Sequence, residues 1–271
     1  MNTFQKVIKY LAMAFAILLT VGIITAIVGF VSAIIFAVDS NYEEGVDYGM
    51  DFSNVEQLDI VNRYGKLRLT SGSNFKVEAS NVSKDFKAEV INGTLIIKDK
   101  KISWLDFGIF KRDSSITVYV PENFLAEKIK IDSGAGQVTL ENLNTKQLII
   151  DAGVGNIKGL NLYAESVEIN GGVGNLDFTD VNFTDVKFDS GLGKLYMDGI
   201  ILGNSEFECG IGSISLKIKG KRQDYAFKIE SGIGAVRING EKISSEYKDN
   251  YEAIHTMKVN GGIGKVSIDF Y

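Results

Sequence analysis

The chain has 271 residues, enough for one membrane segment and one domain of about 220 residues. A net charge of −5 and a pI near 5.1 argue against a nucleic-acid binder. A single cysteine excludes an internal disulfide, and one histidine beside it excludes a multi-histidine metal cluster.

Residues 10–38 carry no charge. About 20 apolar residues span a bilayer, so this run crosses one with tilt or overhang. It is too long for the apolar region of a secretory signal, and Phe36-Ala37-Val38 is a poor cleavage site. An uncleaved transmembrane helix is expected. Lys6 and Lys9 precede it, while Asp39, Glu43, Glu44 and Asp47 follow it and no basic residue returns before Arg63. That bias places residues 1–9 in the cytoplasm and the rest outside the cell membrane as a single-pass protein, with 39–51 as an acidic linker. Gly22, Ala26, Gly29 and Ala33 fall on one helix stripe. Either this is a packing face for a second helix, or it reflects the common use of Gly and Ala in membrane spans.

Residues 52–271 read as the extracytoplasmic domain. Between 58 and 69, Gly65, Leu67 and Leu69 match a glycine-containing unit starting at Val61, with Arg63 in place of its first glycine. "FKAEVINGTLIIKDK" predicts a hairpin about Asn92-Gly93. In "KISWLDFGIFKR", Trp104, Phe107 and Phe110 stand between basic pairs. They are either a tip that docks a membrane surface or partner, or aromatics folded over the domain's end. "SITVYVPENF" predicts a strand ending near Pro121.

From about residue 129 a unit recurs. It reads DSGAG from Asp132, DAGVG from Asp151, NGGVG from Asn170, DSGLG from Asp189, ECGIG from Glu208, ESGIG from Glu230 and NGGIG from Asn260. The first five starts are 19 residues apart and the next gaps are 22 and 30. Counting each start as position 0, glycine fills +2 and +4 in all seven. These are Gly134 and Gly136, Gly153 and Gly155, Gly172 and Gly174, Gly191 and Gly193, Gly210 and Gly212, Gly232 and Gly234, and Gly262 and Gly264. Position −1 is apolar, +1 is small, and +6 is Val, Ile or Leu.

A strand running into Gly153-Val154-Gly155 invites comparison with a dinucleotide-binding turn, but no third glycine and no helical spacing follow. Gly264-Lys265 lacks the Ser or Thr of a P-loop. Seven repeats have no use as phosphate cradles, whereas a fixed period marks a repeat architecture. The alternation predicts strands with one buried face. We therefore expect an all-β domain, a β-solenoid with one coil per repeat and the glycine pairs as structural corners. Each pair would bracket an inward apolar residue at +3, from Ala135 and Val154 through Val173, Leu192, Ile211 and Ile233 to Ile263. Successive coils would stack their position-0 residues in sequence order, about 4.8 Å apart.

That position-0 row holds five carboxylates and two amides. Such residues cap corners by bonding nearby backbone, or hold a divalent cation weakly. The calcium β-roll motif does not match, because Leu176 stands where Asp is required. Carboxylates on neighbouring coils also resemble the sites of β-helix polysaccharide enzymes, but 19-residue coils leave little chain for a walled cleft. Cys209 falls in the small-residue row and reads as buried, and His255 reads as a surface residue. Neither a catalytic constellation nor a cofactor site emerges.

"ITVYVPENFLAEKIKIDSGAGQVTL", the DxGxG units and the "INGEK" insert resemble the bacterial "putative adhesin" β-strand-repeat family of unknown function. The resemblance covers about residues 52–271 and implies an extracytoplasmic β-solenoid, often membrane-anchored. It brings no catalytic residues. The combined expectation is a non-enzymatic, anchored module for binding, adhesion or envelope sensing, with an envelope glycan or protein as partner. The alternative is a scaffold that assembles through solenoid ends or transmembrane helices.

Overall fold

The structure, a computed structural model, describes residues 45–99, 113–249 and 252–271, with Gly22 and Thr25 besides, both helical. The expected transmembrane helix over 10–38 otherwise lies outside the described residues, as do Trp104, Phe107 and Phe110. Among the described residues no helix is long and apolar enough to cross a membrane.

Residues 45–271 are almost entirely β. In chain order the strands are β1 (Val46–Phe52), β2 (Gln57–Gly72), β3 (Phe75–Val82), β4 (Lys87–Ile91), β5 (Thr94–Lys98), β6 (Ser115–Pro121) and β7 (Leu125–Thr184). They continue as β8 (Val186–Leu202), β9 (Asn204–Ile218), β10 (Tyr225–Ile233), β11 (Val236–Ile238), β12 (Glu241–Ile243), β13 (Glu246–Asp249) and β14 (His255–Phe270). β1 begins inside the stretch expected to be linker, and pairs antiparallel with β3 from Val46 onward. The hairpin about Asn92-Gly93 forms as expected, with both residues at positive φ between β4 and β5.

The middle of the sheet is parallel, in the order β2-β7-β8-β9-β14-β10. Repeat positions lie opposite one another: Val61 faces Asp132, Asn170 faces Asp189, and Asp189 faces Glu208. Residues 57–72 are thus the first rung, with Gly65 beside Gly136 and Arg63 in the first-glycine slot.

The expected order fails at the far end. Glu208 pairs with Asn260, and Asn260 with Glu230, so the last unit in sequence lies between the two before it. The gap of 22 residues after Glu208 is the reason. Three residues beyond the usual 19, in a segment containing the 3-10 turn Arg222–Asp224, let the chain pass one rung. The longer insert then runs antiparallel along β10 as β13 and leads β14 back into the space.

Each rung buries alternating side chains. Ile131, Ile150, Ile169, Phe188, Phe207, Ile229 and Val259 at −1 are all at most 1% exposed. Val138, Ile157, Leu176, Leu195, Ile214, Val236 and Val266 at +6 are buried as well. Full burial of one such side chain stabilises by about 1.5–3 kcal/mol, and the rows merge into a single core. Polar residues between them face out, as the period of two requires.

Antiparallel strands close both ends. The outer edge of β2 carries β5 along its first half and β6 along its second, both still parallel. These in turn carry β4 and β3. At the other end β10 carries β13, and β11 carries β12. Short, charged outer strands such as Glu246–Asp249 discourage edge-to-edge addition of further chains.

Candidate functional site

The glycine corners form one wall of the stack. A Cβ at Gly172 would lie 2.1 Å from the Gly153 carbonyl oxygen, so a side chain there must collide with the rung below. Gly174 adds a second constraint: its φ is +155°, and a Cβ would sit 1.6 Å from the Gly155 oxygen. At this rung both glycines allow close approach to the rung below, and the second also meets a conformational demand.

The +3 side chains do not point inward. Val154 (58%), Val173 (46%), Leu192 (44%), Ile211 (50%), Ile263 (49%) and Ile233 (70%) are exposed, and only Ala135 is half-buried. Strand alternation carries −1 and +1 to the inside, and the inside of the corner is filled by the +1 row, with Ser133, Ser190 and Cys209 buried. The glycine pair then reverses the phase before +6. The apex side chain is left on the convex surface. The pairings Val173 to Leu192, Leu192 to Ile211, Ile211 to Ile263 and Ile263 to Ile233 make these residues one aliphatic ridge along the stack.

The position-0 row runs beside the ridge, and two pairs of its members bond across rungs. Asn170 Nδ2 donates to Asp151 Oδ1 at 2.7 Å, and Asn260 Nδ2 donates to Glu208 Oε1 at 2.5 Å. Arg63 Nη1 lies 3.4 Å from Asp132 Oδ2. At these three places an amide or a guanidinium beside a carboxylate relieves the repulsion that two adjacent acids would suffer. One row further out, Lys258 bonds Glu206, which holds that carboxyl below the usual carboxylate range and raises the lysine. Among the described residues no group of three or more His, Cys, Asp or Glu is arranged to hold a metal ion.

A shallow depression of about 610 Å³ lies over this row, with Asp189, Glu208, Glu230, Glu246 and Asn260 among its lining. Cys209 lies beneath it; burial pushes its thiol pKa up, and the charge of Asp189 adds to this, which opposes thiolate chemistry. His255 is half-buried rather than a plain surface residue. Its Nδ1 accepts from the Gly203 amide at 3.1 Å, and its ring packs on Tyr225. It thus satisfies a backbone donor where β14 enters the sheet.

A second corner went unassigned in the sequence. Asn142, Asn161 and Asp180 all have φ near +50°, and Gly199 follows at φ +147° in the next rung. Asn and Asp tolerate the left-handed region better than other side chains. Asn161 also donates to Asn142 Oδ1 at 2.8 Å. The signal was present, an Asn/Asp/Gly slot at +10, but it shares no single residue type from rung to rung.

The family model described as Toastrack DUF4097 matches residues 54–252, well over half the chain. The chain belongs to this family. Solved structures with a similar trace include a "putative cell adhesion protein" from Clostridium sporogenes, 18% identical, covering 84% of this chain and 100% of its own, at a TM-score of 0.41. A "putative adhesin" from Bacteroides fragilis is 13% identical, covers 84% of this chain and 98% of its own, and scores 0.47. A "putative lipid binding protein" from Parabacteroides distasonis is 14% identical, covers 84% and 97%, and scores 0.42. At such identities and scores the likeness says nothing of what this Toastrack chain binds. No curated protein matches it.

Proposed function

We propose that this Toastrack chain is a membrane-anchored, extracytoplasmic β-solenoid that acts as a non-enzymatic binding, adhesion or envelope-sensing module. The observation that carries the reading is the glycine-corner wall. It presents the same outward features on successive rungs, an aliphatic residue at +3 beside a polar residue at 0. A surface that repeats along one axis suits an extended contact, as in other stacked-repeat proteins. The in-register parallel rungs support the solenoid description. The uncharged run 10–38 and the charge bias around it support the anchor and its orientation. A scaffold built by end-to-end addition is less favoured, since antiparallel strands close both ends.

Two measurements on cells producing the full chain test this. Alkaline carbonate should leave the protein in the membrane fraction, and protease added to intact spheroplasts should digest residues 52–271. Release by carbonate would remove the anchor. Full protection until lysis would reverse the topology and place the wall in the cytoplasm, away from any envelope partner.

A further inference from the structure

The aliphatic ridge is an ordered apolar feature left uncovered among the described residues. Six side chains, from Val154 to Ile233, are each 44–70% exposed and stand in line. A contiguous patch of roughly 300–600 Å² is about the largest a monomer normally shows, and such patches mark contacts. Bare glycines flank every member, so the ridge stands clear of its base and a second surface can approach closely.

The two sides of the ridge differ in charge. On the position-0 side lie Asp132, Asp151, Asp189, Glu208 and Glu230, with Asn170 and Asn260 between them. On the +5 side lie Gln137, Asn156, Asn175, Lys194, Ser213 and Lys265, which include no acid. Lys194 and Lys265 are exposed. An anionic bilayer would be repelled by the acidic side. A second copy of this chain is not, provided it faces the first in one orientation.

We infer that two copies pair ridge to ridge in parallel, about a two-fold axis running along the stack. That operation sets the acidic side of each copy against the +5 side of the other. Lys194 then faces Asp189 of the other copy, and Lys265 faces the neighbourhood of Glu208 and Asn260. The antiparallel alternative sets acid row against acid row along its whole length. Like charges so juxtaposed cost several kcal/mol and select against it. Parallel pairing also puts the Gly45 ends of both copies on the same side, as two chains leaving one membrane require; this and the effect of membrane confinement rest on the anchored reading. The ridge is smaller than the ~800 Å² per partner of a standard interface, so pairing is weak in dilute solution. Confinement to a membrane raises the effective concentration and offsets that weakness.

The test uses the full chain in its native membrane with Cys209→Ser to remove the native thiol. Val173→Cys and Ile263→Cys are introduced singly at off-centre ridge positions, and Ser166→Cys at an exposed position on a different part of the rung. In parallel pairing each residue meets itself. Copper-phenanthroline oxidation should therefore give disulfide-linked dimer from Val173→Cys alone and from Ile263→Cys alone, at least tenfold above Ser166→Cys. Adding Leu192→Asp and Ile211→Asp should abolish the linkage while protease resistance of the domain persists. Linkage no greater than Ser166→Cys overturns the proposal. So does linkage only when Val173→Cys and Ile263→Cys are mixed, which marks antiparallel pairing. Shielding of these cysteines from aqueous maleimide without linkage also overturns it and assigns the ridge to lipid or another protein. If carbonate releases the chain, the anchored reading fails separately, and the same oxidation on the concentrated soluble protein still decides the ridge.

Discussion

Two glycines in the same row answer differently to the addition of one methyl group. At Gly172 a Cβ would meet the Gly153 carbonyl oxygen at 2.1 Å, with the Ala152 oxygen at 3.1 Å as well. At Gly191, one rung on, the nearest atom is the Gly172 oxygen at 3.1 Å, and no other lies within 4 Å. Neither backbone is at positive φ, so contact alone separates them. Gly172→Ala must push two rungs apart by about 1 Å to reach an ordinary contact. Overpacking of that size costs about 1–3 kcal/mol. Loss of one or two adjacent ladder hydrogen bonds adds about 1 kcal/mol each. We expect roughly 3 kcal/mol in all. Gly191→Ala needs a shift of only a few tenths of an ångström. Its cost is offset by the ~0.4–1 kcal/mol that alanine contributes by restricting the unfolded chain. Cys209 is a built-in reporter, because the residue is only 7% exposed and its thiol pKa is raised by burial. Thiol labelling against urea, on the whole protein in detergent micelles, gives the midpoint. With a slope of about 1–3 kcal/mol/M, Gly172→Ala should lower the midpoint by at least 1 M and Gly191→Ala by under ~0.3 M. Equal shifts for the two variants would refute contact between rungs as the reason for glycine.

Two further outcomes follow from the same geometry. Because Asn170 and Asn260 already bond the carboxylates of Asp151 and Glu208, millimolar calcium after chelation should leave the melting temperature nearly unchanged. A native-state cation site would instead add about 2.7 kcal/mol at a hundredfold excess over Kd, and Asp151→Asn with Asp189→Asn would abolish it. Tyr271 donates its hydroxyl to Asp198 Oδ1 at 2.7 Å, which raises its pKa to about 12. A raised tyrosine pKa means that the stabilisation is whole below pH ~10 and is lost as the pH climbs through about 12. The stability difference between the native chain and Tyr271→Phe should therefore shrink over that window, and a difference constant across it would show that this hydrogen bond contributes nothing.

The sequence by itself determined the parallel repeat. A 19-residue period with glycine at +2 and +4 and apolar residues at −1 and +6 admits one register, since a slip by one would turn every buried side chain outward. The Asn92-Gly93 hairpin was legible for a local reason: both residues reach positive φ and need no distant contact. Three features were not local. The direction of the +3 residues depended on which side chain takes the inside of the corner, and periodicity is ambiguous where a turn reverses its phase. The +10 corner was hidden because Asn, Asp and Gly meet one backbone demand with different side chains. The place of β14 between β9 and β10 was decided only by tertiary structure, because rung order follows from how far each connection reaches and which sheet edge is open. Neither is written in the unit that repeats.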